Sequence, residues 1–139
     1  MRDKVENDDA KKDISKFDWV TARSSCTLPK VFKTLRIQVE EDVKTRNAQR
    51  LKNSPYEFLL KEDVDEFTVL LEAEGVQQSV IFKLAEHAIL VRGGEGNPMF
   101  EVTLAFDDEG KCRLNVDDKQ RDFWQVRRMA LEDLLFRHY

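Results

Sequence analysis

Residues 67–106, FTVLLEAEGVQQSVIFKLAEHAILVRGGEGNPMFEVTLAF, decide the fold. Phe67, Val69, Leu71 and Ala73 sit two apart around Thr68 and Glu72; Val80, Phe82 and Leu84 repeat that spacing, and Phe100, Val102, Leu104 and Phe106 repeat it again. Side chains two residues apart share one face of an extended chain, so this is the pattern of half-buried strands. Working outward, residues 56–62, residues 88–91 and the alternating Cys112, Leu114 and Val116 bring the number of strands to six. Connections at 63–65, 74–78, 86–87, 93–98 and 107–110 are too short for a crossover helix, so the strands run antiparallel as a meander.

On both sides the apolar period changes to that of a helix. Leu28, Val31, Phe32, Leu35, Val39, Val43 and Leu51 follow the 3 and 4 spacing of one helical face. This predicts a helix over 28–52 with Thr27 as cap, Pro29 in its first turn and Asn53-Ser54-Pro55 as its stop. From Asp118 onward, Phe123, Val126, Ala130 and Leu134 form one stripe with Trp124, Leu131 and Leu135 beside it. That predicts a second helix, capped by Asp117 or Asp118. The fold class is α+β: an N-terminal helix, a six-stranded antiparallel β-meander forming a curved sheet, and a C-terminal helix packed on the sheet. Residues 27–139 form one domain.

The chain has 139 residues, 36% of them charged and 41% hydrophobic, with a net charge of -4. That balance excludes a disordered chain, a collagen-like repeat and a disulfide scaffold, and no uncharged apolar run is long enough to cross a bilayer. The charge is segregated. Residues 28–52 carry seven bases against three acids, whereas residues 53–117 carry fourteen acids against five bases. A basic first helix lying against an acidic sheet is the expected arrangement. The pI near 5.3 argues against a nucleic-acid footprint, despite Arg121, Arg127 and Arg128 around Trp124.

Residues 1–26 alternate charges with almost no apolar periodicity and read as a disordered charged tail. They contain no apolar leader segment, so the expected compartment is the cytoplasm, where Cys26 and Cys112 would remain thiols. Phe17 and Trp19 are the tail's apolar exception. Two apart on an extended chain, they either fold back on their own domain or dock in a partner's groove or sheet edge.

Chemistry-bearing motifs are sparse. His87 and His138 have no partner at metal-ligand spacing, and neither cysteine has a histidine near it in sequence. Gly93-Gly94-Glu95-Gly96-Asn97-Pro98 has the glycines of a phosphate loop but is followed by a strand and carries Glu95, so it reads as a hairpin connection. No catalytic residue, metal or other cofactor is assigned, and the reading leans away from an enzyme.

The surplus signal lies on the sheet. If Phe67, Val69, Val80, Phe82 and Val102 face the helices, then Leu59, Leu70, Ile81 and Ile89 point the other way, one on each of four consecutive strands. A water-facing sheet does not repeat large apolar residues in this way. A helix, a second chain or an apolar ligand would have to cover them. The leading expectation is a non-enzymatic binding or adaptor domain that acts through a protein surface, with a homodimer ahead of other partners. The alternative follows from element order: a long meander followed by a C-terminal helix resembles the helix-grip architecture. That resemblance implies a pocket of about 300 Å³ for a small apolar ligand between sheet and final helix.

Overall fold

The computed structural model describes residues 16–73 and 75–137. Three helices, α1 (Trp19–Ser24), α2 (Leu28–Gln49) and α3 (Phe123–Phe136), flank seven strands: β1 (Glu57–Asp63), β2 (Glu66–Ala73), β3 (Val76–Leu84), β4 (Ile89–Gly93), β5 (Pro98–Phe106), β6 (Cys112–Val116) and β7 (Lys119–Arg121). All neighbours pair antiparallel, and the sheet runs in the order β1-β2-β3-β4-β5-β6-β7. The α+β meander is therefore as expected, with seven strands in place of six.

The extra strand corrects the start of the last helix. Asp117 and Asp118 have φ of 53° and 64° and form the two-residue loop between β6 and β7. Two consecutive left-handed residues match the twist of a tight hairpin, and aspartate tolerates that conformation. The helix begins later, at Phe123. Its N-cap is Asp122, whose N–H donates to the Gln125 side chain at 2.8 Å. The first long helix also differs at its end: it stops at Gln49, and Leu51 is 77% exposed beyond it.

Both long helices lie on one face of the sheet, α2 over β1 and β3, α3 over β3 and against α2. From α2 come Phe32, Leu35, Val39 and Val43, from α3 Val126, Ala130, Leu131 and Leu134, and from the sheet Phe58, Phe67, Leu71, Phe82, Val91 and Val102, all buried. Phe67 is sandwiched at the centre. Its ring stacks on Phe82 with centroids 4.6 Å apart and meets Phe32 at 5.1 Å. Two arginines clamp the helices together: Arg127 donates to Asp42 at 2.6 Å and to Gln38 at 2.7 Å, and Arg46 donates to the Leu135 carbonyl at 2.9 Å.

Of the expected tail, residues 1–15 lie outside the described residues. The rest is ordered onto the β5–β6 hairpin. Asp18 caps α1 by accepting the Thr21 N–H at 2.9 Å. The Phe17 ring lies so close to Gly110 that a Cβ there would meet it at 2.5 Å. Gly110 also has a φ of +78°, so both conformation and space require glycine. Cys26 and Cys112 form a disulfide, correcting the expectation of two thiols. The hairpin is organised by Asp107, which accepts from the N–H groups of Glu109 and Lys111 at 2.9 Å each and from Arg113 Nε at 2.6 Å. The Arg113 bond, with those two N–H groups, holds the Asp107 carboxyl below its ordinary value of 3.8.

Two outcomes follow from these attachments. Native protein should contain no titratable thiol at Cys26 or Cys112, and Cys26→Ser should lower the urea unfolding free energy by about 4–5 kcal/mol, because the bond closes a long loop in the unfolded chain, its cysteines being 86 residues apart. A depressed carboxylate contributes stability above its unfolded pKa that is lost as pH falls through the folded value. The Asp107 carboxyl carbon should therefore titrate by NMR below 3.8, and the β5–β6 hairpin should hold down to that range.

Candidate functional site

Register fixes what the uncovered face displays. Leu59 lies opposite Leu70, Ile81 lies opposite Thr68 and one diagonal step from Leu70, and Leu90 lies opposite Lys83 one step beyond. The result is a diagonal apolar stripe, Leu59–Leu70–Ile81–Leu90, across β1 to β4 on the face away from α2 and α3. Ile89 does not belong to it. It lies opposite Leu84 and Val102 and is 0% exposed beneath the helices. In a strand, a shift of one residue exchanges the faces, and Leu90 takes the position expected of Ile89.

The stripe is only partly open. Leu59 is 37% exposed, while Leu70, Ile81 and Leu90 are half-buried. Lys61, Lys83 and Arg92 stand on the same face beside them, and Arg92 reaches Glu66 at 4.0 Å. Long cationic side chains can shield apolar neighbours with their stems while their heads stay in water. Among the described residues no helix crosses this face.

A second concavity lies between the end of α3 and the β4–β5 loop. It is an open cleft of about 770 Å³ bordered by Gln77, Gln78, Ser79, Asn97, Asp133 and Arg137, with Leu70 and Met99 as apolar wall. Its size exceeds what the helix-grip reading requires, but its lining is mostly polar. The glycine loop at its mouth spends its N–H groups internally: Gly93 donates to Asn97 O at 2.8 Å, Gly94 to Ser79 O at 3.0 Å and Gly96 to Gly93 O at 2.9 Å. Those donors do not point into a phosphate cradle.

The other motifs fall apart in space or are already engaged. His87 is solvent-exposed beside Glu86, and His138 lies outside the described residues. Among the described residues no group of three His, Cys, Asp or Glu could hold a metal ion. Of the three arginines around exposed Trp124, Arg127 is bound to Asp42 of α2 and Arg128 to Glu132, whereas the Nε of Arg121 is buried with no hydrogen-bond partner among the described residues. Arg36 bridges to Glu62 at 3.3 Å, a contact of the basic helix with the acidic sheet. Phe17 and Trp19 are not on one extended segment: Phe17 rests on Gly110, and Trp19 opens α1 with 61% of its surface exposed. No described helix is long and apolar enough to cross a membrane.

The chain matches no protein-family model, no curated protein and no solved structure.

The face assignment has a direct consequence. Ile89→Ala should cost about 2–5 kcal/mol in urea unfolding because it opens a core cavity. Leu90→Ala should cost about 1 kcal/mol. The reverse order would place β4 in the other register.

Proposed function

We propose that this chain is a non-enzymatic binding domain that works through the outer face of its sheet, with a second copy of itself as the first partner. One observation carries the reading: both long helices are used on the same face, so the Leu59–Leu70–Ile81–Leu90 stripe has no covering element among the described residues. An apolar stripe bordered by charge of both signs supports a self-complementary contact about a two-fold axis, because the same patch serves both subunits. Leu59 and Leu70, directly opposed and central to the stripe's open end, are the residues expected to contribute most. The disulfide supports action in an oxidising compartment over the cytoplasmic setting expected from composition.

The cleft favours a second reading, a pocket for a small ligand. Its polar wall fits a neutral, hydrogen-bonding molecule better than the apolar ligand that the helix-grip resemblance implies.

Native mass spectrometry of the full chain separates the two. A dimer should appear in the wild type and be lost in Leu70→Glu at unchanged thermal midpoint. A wild type that stays at 16.3 kDa removes self-association, and a co-purified small molecule on that monomer would favour the cleft.

A further inference from the structure

We propose that Asn47 serves as a surrogate strand that closes the free edge of β1 and keeps the sheet from pairing through its backbone with another chain. An open sheet has two edges, and each presents N–H and C=O groups that can template another strand. Here β7 is three residues long and gives way at once to the Asp122 cap of α3, so it offers little to pair with. The β1 edge is the exposed one, seven residues with β2 on one side only.

Asn47 projects onto that edge from the last turn of α2. Its Nδ2 donates to the Phe58 carbonyl at 2.8 Å, and the Phe58 N–H donates to its Oδ1 at 3.0 Å. These are the two bonds that the opposing residue of a hydrogen-bonded antiparallel pair would make. A carboxamide suits the task because one planar group carries both donor and acceptor. Arg50, three residues on, donates to the carbonyls of Ser54 and Tyr56 at 3.1 and 3.5 Å and so ties down the chain just ahead of β1. The helix cannot readily withdraw, because Leu35, Val39 and Val43 anchor it in the core.

Strand alternation then locates the remaining outward groups at Leu60 and Glu62, the residues two and four beyond Phe58. A second β1 pairing about a two-fold centred on Leu60 would set Phe58 against Glu62 at each end. Asn47 obstructs both ends of that pair. This device is independent of the outer apolar face, which lies perpendicular to the edge.

The test uses the full chain and reads mass by light scattering across a concentration series. Asn47→Ala should raise the mass about twofold or more above the wild type as concentration increases. Adding Glu62→Pro should return it to the wild-type value, because that proline removes an outward N–H that pairing needs while an edge position tolerates it. A folded Asn47→Ala that keeps the wild-type mass throughout overturns the proposal, as does association that persists in the double variant. Should Asn47→Ala not fold, amide exchange in the wild type decides. Slow exchange at Phe58 beside fast exchange at Leu60 supports the guard, and equal rates at the two reject it.

Discussion

The contact of Phe67 with Phe82 on one side and Phe32 on the other joins the consecutive strands β2 and β3 to α2, a helix that precedes the whole sheet in the chain. Once those rings meet, the pairing of Phe67 with Phe82 and of Val69 with Val80 is set, and strand alternation passes the choice of face to every neighbour. The outer stripe is a by-product of that choice. Because aromatic contacts of this kind add roughly 0.5–1.5 kcal/mol beyond buried area, the cluster selects register as well as stabilising it. The arginine clamps act one layer further out, where Arg46 and Arg127 hold α3 against α2.

Most of the architecture could be read from the chain because its signals are local. Alternation in 67–73, broken only by Leu70, and in 100–106, and the 3 and 4 spacing from Val31 to Val43, each report a face without knowledge of what covers it. The failures share a cause. Ala88, Ile89, Leu90 and Val91 form an unbroken apolar run, so alternation carries no phase there and the residue facing outward could not be chosen. Lys119, Gln120 and Arg121 are all polar and too few to show a period, and β7 went unseen. A cue was present in Asp122 followed three residues later by Gln125, the spacing of a capping box.

The disulfide was hidden for a different reason. Its cysteines are 86 residues apart, and nothing in their own neighbourhoods marks them as partners. Only the meander brings β6 beside the start of α2. For the candidate site, Leu59, Leu70 and Ile81 were legible and Leu90 was not, while Asn47 gave no signal at all. A single asparagine near a helix end looks like a surface residue until the strand edge is placed against it.

That same disulfide orders events in time. During synthesis Cys26 emerges 86 residues ahead of its partner, a wait of roughly 4–17 s at ordinary elongation rates. Throughout that interval it is a lone thiol at the head of a growing meander. The covalent ring can close only after the residues of the first five strands have been synthesised and Cys112, at the start of β6, has followed them. The bond therefore acts as a latch on a nearly finished sheet, and a chain truncated before β6 would be left with an orphan cysteine, open to disulfide exchange with any other thiol it meets.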